Sequence, residues 1–211
     1  MSDQEVLNYL LAYNNMKIIQ RKDMFNFSLD TVLLANFCTI TKDVKQIIDF
    51  GTNNAAIPLL LSQRTNRPIT GIEIQKEAVD LAIKNIELNN LETQINIVHA
   101  DIAEYVKDAK KVGLVICNPP FFRVDEDSNL NENEYLTIAR HEIKINLEGI
   151  IKSAARILDN NSGIAALFVP KSIILCKSLL RVQNDANKTV SKEKLNISFL
   201  WIIFISLYAS K

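Results

Sequence analysis

Residues 46–63 read QIIDFGTNNAAIPLLLSQ and contain the first complete strand–loop–helix unit of the chain. The short apolar run Gln46–Phe50 predicts a buried strand. Ala55–Gln63 predicts a helix, and Pro58 fits only in its first turn, because a proline deeper in a helix removes a backbone hydrogen bond. A strand that leads through a short loop into a helix is the repeating unit of parallel α/β sheets.

The same alternation continues to about residue 183. Further strands are predicted at Pro68–Ile74, Ile95–His99, Gly113–Cys117 and Ile164–Val169. Further helices are predicted at Gln75–Asn90, Ile102–Lys107, Asn146–Leu158 and Ser172–Gln183. Because crossovers between parallel strands are right-handed and cover both sheet faces, the pattern predicts an α/β fold with a Rossmann-like, mostly parallel sheet and helices on both faces.

The N-terminal part of the chain lacks this alternation. Gln4–Ala12 and Leu29–Phe37 each predict a helix, and Ser28 is a suitable cap for the second. We therefore expect residues 1–40 to form a helical extension that packs on the α/β domain, residues 41–211.

Composition limits the classes of function. Lys+Arg and Asp+Glu balance at 24 each, so a nucleic acid would have to be bound by a local basic patch. Three well-separated cysteines and two histidines predict no metal site. Ile197–Ala209 is strongly apolar but shorter than the ~20 residues of a spanning helix. It predicts a buried strand in a shortened C-terminal hairpin, and we expect a cytoplasmic protein without membrane contact.

Polar side chains stand at the ends of four successive predicted strands: Asp49, Glu73, Asp101 and Asn118. The carboxyl ends of parallel strands meet at one edge of the sheet, where such folds bind their ligands. The sequence therefore predicts one site that all four residues border.

The second of these residues points to a nucleoside. Glu73 follows the first loop by about 20 residues, the spacing of the carboxylate that grips ribose hydroxyls in nucleotide-binding folds. The loop keeps Gly51 but has Asn53 and Ala55 where pyrophosphate-binding loops have glycines. An adenosine with a charged tail and no pyrophosphate, such as S-adenosylmethionine, fits this loop better than a dinucleotide.

The segment Asn118–Phe122 (NPPFF) follows the fourth strand of the alternation. Its prolines remove backbone donors and hold Asn118 extended. An amide, free carbonyls and two aromatic rings at a strand end suit a flat amine-bearing group such as a nucleobase. A plain strand-ending turn with two core phenylalanines is the alternative. Asp101 has two interpretations as well, since it could accept a hydrogen bond from an adenine amine or cap the following helix.

Several stretches carry a family resemblance: DFGTNNAAIPLLL, GIEIQ, HADI, VICNPPFF and ARHEIKINLEGIIK. Together they resemble class I S-adenosylmethionine-dependent methyltransferases. IIQ…FSLDTVLLA and RHEI are similar, more narrowly, to the family that methylates the N6 amine of adenosine 37, next to the anticodon, in valine tRNA. The resemblance covers about residues 16–170. The NPPF element alone is shared with DNA adenine, rRNA guanine and protein glutamine methyltransferases, so it specifies a planar amine rather than a polymer.

The resemblance implies a cofactor site. Asp49, Gly51 and their neighbours would border the methionine part of S-adenosylmethionine, Glu73 would hold its ribose and Asp101 its adenine. The residues expected at the cofactor are Asp49, Gly51, Asn53, Glu73, Ile74, Asp101, Ile102 and Asn118.

It also implies a substrate site. Asn118 and the carbonyl of Pro119 would accept hydrogen bonds from the substrate amine, and Phe121 would stack on the base. The expected catalytic residues are Asn118, Pro119, Pro120 and Phe121. Candidates for contact with tRNA are Lys17, Arg21, Lys22, Phe122, Arg123 and Arg140, together with Lys188, Lys192 and Lys194.

The sequence departs from this family in two places. The first loop reads GTNNAA where many members have GTGNGA, and the chain diverges after Lys171. Asparagine tolerates left-handed backbone better than most residues, so Asn53 is expected to keep the turn. These departures motivate one alternative, a non-catalytic S-adenosylmethionine-binding protein. A methyltransferase acting on another planar amine is the other.

Overall fold

A computed structural model describes residues 3–10, 13–119, 147–159, 164–169 and 172–177. The strands are β1 (Glu5–Leu10), β2 (Tyr13–Arg21), β3 (Ile47–Phe50), β4 (Ile69–Glu73), β5 (Ile95–His99), β6 (Leu114–Cys117), β7 (Ile164–Val169) and β8 (Ser172–Lys177). The helices are α1 (Leu29–Phe37), α2 (Ala56–Ser62), α3 (Lys76–Leu88), α4 (Ile102–Asp108) and α5 (Leu147–Ile157). In these ranges no helix combines the length and the apolar character needed to cross a membrane.

Six strands form the central sheet in the order β5-β4-β3-β6-β7-β8. The first five run parallel, and β8 is antiparallel to β7. Phe50 in β3 lies opposite both Ile72 and Cys117, and Glu73 lies opposite His99. The carboxyl ends of the central strands are therefore level along one edge. The predicted mostly parallel α/β sheet is confirmed.

Buried side chains cover the sheet on both faces. Ile47 belongs to a cluster with α1, α2 and α3, whereas its neighbour Ile48 belongs to a cluster with α4 and α5. Successive strand residues point to opposite faces, so a strand buried on both sides is mainly apolar, and Asp49 in β3 is an exception. This explains why the central strands could be recognised as short continuous apolar runs.

The first predicted helix is wrong. Glu5–Leu10, within the predicted helix at residues 4–12, is strand β1, and it pairs antiparallel with β2. Val6 and Tyr9 favour strands. A helix this short is only marginally stable on its own, whereas pairing with β2 gives the backbone of β1 hydrogen-bond partners. The second predicted helix is confirmed as α1, with Ser28 at its N-cap position. The extension is thus a hairpin followed by a helix.

The helix predicted at Ser172–Gln183 is wrong for residues 172–177, which form β8, and residues 178–183 lie outside the described ranges. The run contains adjacent β-branched isoleucines, and apolar runs this short are ambiguous between helix and strand. Antiparallel pairing with β7 stabilises the strand here. The strand predicted at Ile197–Ala209 lies outside the described residues.

Asn85 in α3 and Asn89, the C-cap residue after it, hold the hairpin on the domain. Asn85 Oδ1 accepts from the backbone N–H of Ile19 at 2.6 Å, and its Nδ2 donates to the Ile19 carbonyl at 3.0 Å. One turn later, Asn89 makes the same pair of bonds with Lys17, at 3.0 and 2.7 Å. An asparagine amide has a donor side and an acceptor side, as the backbone of a strand residue does. Asn85 and Asn89 therefore pair with the backbone N–H and carbonyl of alternate β2 residues, as a neighbouring strand would.

Replacing Asn85 with alanine is expected to lower the free energy of unfolding by roughly 3–5 kcal/mol, since buried backbone groups lose their partners. Asn85 is completely buried and also donates to the Asn54 carbonyl at 2.9 Å. Urea denaturation measures the loss. Asn89→Ala is the matched control, because its bonds to Lys17 are exposed, and about 1 kcal/mol is expected there. Equal losses for both variants would contradict the assignment of Asn85 as the principal anchor.

Candidate active site

The four predicted strand-end residues lie on neighbouring strands. Asp49 is in β3, Glu73 ends β4, Asp101 follows β5 as the N-cap of α4, and Asn118 follows β6. With the strand order β5-β4-β3-β6, they line one edge of the sheet in the order Asp101, Glu73, Asp49, Asn118. Sequence order and spatial order differ because β3 lies at the centre.

The loop after β3 turns through three left-handed residues, Gly51, Asn53 and Ala55, with φ of 69°, 48° and 64°. Asn53 therefore keeps the turn, as expected. Its Nδ2 donates to the carbonyl of Phe25 at 2.8 Å, which directs the side chain to the N-terminal segment. Ala55 is buried immediately before α2, and a left-handed conformation costs a residue with a Cβ about 1–2 kcal/mol.

Glu73 connects this loop to β4. One carboxylate oxygen, Oε2, accepts from the N–H of Asn53 at 2.9 Å. The other, Oε1, accepts from Ile74 and Gln75 at 2.9 and 3.0 Å. Burial raises the pKa of Glu73, and the three N–H groups act against that rise. Oε2 has accepted one bond and retains capacity for a second donor, such as a hydroxyl.

Asp49 is the least satisfied group of the site. It is 0% exposed, and within the described part of the chain neither carboxylate oxygen has a hydrogen-bond partner. The Thr52 hydroxyl is buried and likewise unpartnered among those residues. Gly71 makes room for it, since a Cβ there would lie 2.7 Å from two side-chain atoms of Thr52. Buried acceptors without donors are costly, so this pair suits a ligand that brings a donor, above all a cation.

Burial, together with the charge of Glu73, raises the pKa of Asp49 to about 8. The neighbouring Thr52 hydroxyl favours the charged form and lowers the pKa in part, although its geometry does not meet that of a hydrogen bond. Because the folded pKa lies above the ordinary 3.8, the folded state holds the proton more tightly than the unfolded chain. The stabilisation from that proton is complete below about pH 4 and is lost as the pH rises to about 8.

Asp49→Asn is therefore expected to make the ligand-free protein more stable than wild type at pH 8, by a few kcal/mol. The advantage should shrink steadily towards pH 4. Thermal unfolding of both proteins from pH 4 to 9 measures it, with Asp108→Asn as the control at an exposed carboxylate. A variant less stable than wild type at pH 8 would show that the carboxylate has a stabilising partner.

Asp101 caps α4, because its Oδ1 accepts from Ala103 and Glu104 at 2.7 and 3.1 Å. The capping interpretation is confirmed, and the second carboxylate oxygen makes no hydrogen bond to the described residues. Ile102 is half-buried as the first residue of α4. Ile74, at the end of β4, is 37% exposed at the same edge, and its carbonyl lies 2.8 Å from His99 Nε2.

Asn118 is half-buried, and its Nδ2 donates to Thr31 Oγ1 in α1 at 3.1 Å. Pro119, the next residue, is buried. Thr31 was not predicted from the sequence, since no local pattern connects two residues 87 positions apart. The remaining predicted substrate residues lie outside the described ranges: Pro120, Phe121, Phe122, Arg123, Arg140, Lys188, Lys192 and Lys194.

The N-terminal basic residues divide into two kinds. Lys17 and Lys22 are exposed. Arg21, in contrast, forms two hydrogen bonds to the carboxylate of Asp23, at 3.0 and 2.6 Å, and this pairing lowers the pKa of Asp23. A paired guanidinium has less capacity for phosphate, so among these three the two lysines are the better candidates. In the described part of the chain, no group of three or more His, Cys, Asp or Glu side chains could hold a metal ion.

The chain resembles known proteins in sequence. Residues 17–194 match the model of a family described as "Methyltransferase small domain". The chain is 27% identical over 163 residues to a tRNA1(Val) (adenine(37)-N6)-methyltransferase of Flavobacterium johnsoniae, covering 76% of this chain and 68% of the relative. It is 26% identical over 208 residues to the protein of the same name from Christiangramia forsetii, covering 91% and 85%.

Among solved structures, an S-adenosylmethionine-dependent methyltransferase from Agrobacterium tumefaciens has a similar fold. The TM-score is 0.55 at 13% identity, covering 80% of this chain and 54% of the other. The present chain thus spans about half the length of that protein, and the likeness concerns the fold.

Proposed function

Because the chain belongs to the methyltransferase small domain family, we propose that it methylates the N6 amine of adenosine 37 in a valine tRNA. S-adenosylmethionine is the proposed methyl donor. The observation that carries the chemistry is Asn118, whose amide stands beside the acidic strand ends at the carboxyl edge of the sheet. The choice of tRNA rests on the relatives named for that reaction.

The residues present fit this donor. Its α-ammonium group would supply the hydrogen-bond donor that the buried carboxylate of Asp49 and the Thr52 hydroxyl lack among the described residues. Glu73 Oε2 can accept one further bond, from a ribose hydroxyl. The second oxygen of Asp101 can accept from an adenine amine while the first caps α4. Ile74 offers an exposed apolar surface at the same edge.

The acceptors at Asn118 and Pro119 address the difficulty of the reaction. The lone pair of an aromatic amine is delocalised into the ring, so the amine is a weak nucleophile. When bound, S-adenosylmethionine would supply the methyl group: its sulfur–methyl bond would break as the nitrogen–methyl bond forms, S-adenosylhomocysteine would leave, and the methylated amine would lose one proton to solvent. Asn118 Oδ1 and the carbonyl of Pro119 would accept from the two amine hydrogens, holding the nitrogen pyramidal and its lone pair in line with the methyl group. Positioning and fixed dipoles can supply most of the rate enhancement in such a site.

Transfer of tritium from labelled S-adenosylmethionine to an unmodified valine tRNA transcript tests the proposal. The same transcript with adenosine 37 replaced by guanosine is the matched control, and mass spectrometry of the digested nucleosides identifies N6-methyladenosine. Incorporation into the first transcript alone is expected. Transfer to DNA, rRNA or a glutamine-containing protein instead of tRNA in the same assay would show that the enzyme methylates another planar amine. Calorimetry showing donor binding without transfer to any substrate would favour the non-catalytic alternative.

A further inference from the structure

The amide of Asn118 is held by a residue far away in the chain. Thr31 lies in the first turn of α1, is 5% exposed, and accepts from Asn118 Nδ2 at 3.1 Å. A second donor, the backbone N–H of Ser28, reaches the same hydroxyl oxygen at 3.3 Å. Thr31 Oγ1 therefore accepts two hydrogen bonds, one from the backbone N–H of Ser28 and one from the amide of Asn118. These two bonds use both lone pairs of the hydroxyl oxygen.

In the structure, the nitrogen end of the Asn118 amide faces α1, where the Thr31 hydroxyl accepts from it. The two ends of an asparagine side chain are nearly equal in shape but opposite in function, because the oxygen accepts hydrogen bonds and the nitrogen donates them. With Nδ2 turned to α1, the acceptor Oδ1 is left for the substrate side. A reversed amide would present two N–H groups to an amine that also carries N–H groups, and it could not accept from it.

The helix that carries Thr31 is firmly placed. Leu34 and Ala35 are completely buried in the core cluster shared with α2. At the other end of α1, the guanidinium of Arg64 donates to the carbonyl of Ala35 and, at 2.9 Å, to that of Cys38. Cations at a helix C-terminus satisfy its free carbonyls. A fixed helix can therefore fix the hydroxyl and, through it, the amide.

We propose that Thr31 is a positioning residue that orients Asn118 for methyl transfer by holding its amide nitrogen. The proposal rests on the proposed function, because it concerns the acceptor of the same site. It gives α1, which precedes the central sheet in the chain, a direct part in arranging the reaction.

Thr31→Val and Thr31→Ser form the matched pair that tests it. Valine has nearly the same shape without the hydroxyl, and serine keeps the hydroxyl. Thr31→Val is expected to lower kcat by about tenfold to hundredfold, the range seen when a reacting group is misplaced. The KM for tRNA and the Kd for S-adenosylhomocysteine should stay within about twofold. Thr31→Ser should return kcat to within about threefold of wild type.

Two controls separate positioning from loss of fold. Thr70→Val makes the same change at a buried threonine at the start of β4, away from the carboxyl edge, and should leave kcat unchanged. Adding Thr31→Val to Asn118→Ala should produce no further loss, because the amide is already gone. A Thr31→Val enzyme with wild-type kcat, a Thr31→Ser enzyme as slow as Thr31→Val, or additive losses in the double variant would overturn the proposal.

The wild-type rate on tRNA is measured first, since its absence contradicts the proposed function rather than the role of Thr31. The Thr31 variants are then compared on whichever amine substrate the wild type methylates. A wild type that methylates no substrate overturns both proposals.

Discussion

Asn118→Ala is expected to lower kcat by about a thousandfold, the upper range for removing one donor or acceptor that stabilises a transition state. The Kd for S-adenosylhomocysteine should change by less than about threefold, since the amide nitrogen contacts α1 through Thr31 and the oxygen is assigned to the substrate. Single-turnover transfer to tRNA gives the rate, and calorimetry gives the Kd.

Asn96→Ala is the matched control for Asn118→Ala, because Asn96 is exposed in β5 and its loss should leave the rate unchanged. Asn118→Asp is a second probe. A carboxylate offers acceptors but cannot donate to Thr31, so its rate should fall between those of wild type and Asn118→Ala. If Asn118→Ala kept more than a tenth of the wild-type rate, the assignment of the amine acceptor would be wrong.

Glu73→Ala is expected to have the opposite signature, with the Kd for S-adenosylhomocysteine raised by about a hundredfold. Two effects add. A hydrogen bond to a charged acceptor contributes about 1.5–3 kcal/mol, and the loop around Asn53 loses the carboxylate that holds its N–H at 2.9 Å. At saturating S-adenosylmethionine, kcat should remain within about threefold of wild type, because Asn118 is not altered.

Two further substitutions sharpen the Glu73 experiment. Glu77→Ala removes an exposed carboxylate from the first turn of α3 and should leave the Kd unchanged. Glu73→Gln keeps the shape, but one carboxylate oxygen becomes an NH2 group that must face a backbone N–H. It should therefore resemble Glu73→Ala rather than wild type. A Glu73→Ala enzyme with normal affinity for S-adenosylhomocysteine and reduced kcat would contradict the assignment of Glu73 to cofactor binding.

The parallel strands of the central sheet could be predicted because the signal for each one, a short apolar run, lies within its own residues. Ile95–His99 and Ile164–Val169 have the predicted bounds, because each is a short, mainly apolar run of strand length. The edge that carries Asp49, Glu73, Asp101 and Asn118 followed from this sheet, because the position of a strand end is set by where the apolar run stops.

The hairpin and Thr31 could not be predicted in this way, because what defines them is distant in sequence. The free edge of β2 is satisfied by Asn85 and Asn89, which are 66 and 72 residues from their partners. Read locally, these asparagines look like ordinary polar positions of a helix. That Asp49 and Thr52 lack hydrogen-bond partners among the described residues also could not be predicted, because it depends on their three-dimensional surroundings, including the space that Gly71 leaves for Thr52.

The position of Asn85 and Asn89, in α3 and at its C-cap, has a consequence for the order of events during synthesis. The hairpin is translated before α3, yet the groups that complete its open edge are Asn85 and Asn89. A nascent chain therefore carries an unfinished strand edge until α3 has emerged and wound into a helix. Because unpaired edges recruit other strands, we expect the edge of β2 to be open to pairing with other chains between translation of residues 21 and 89.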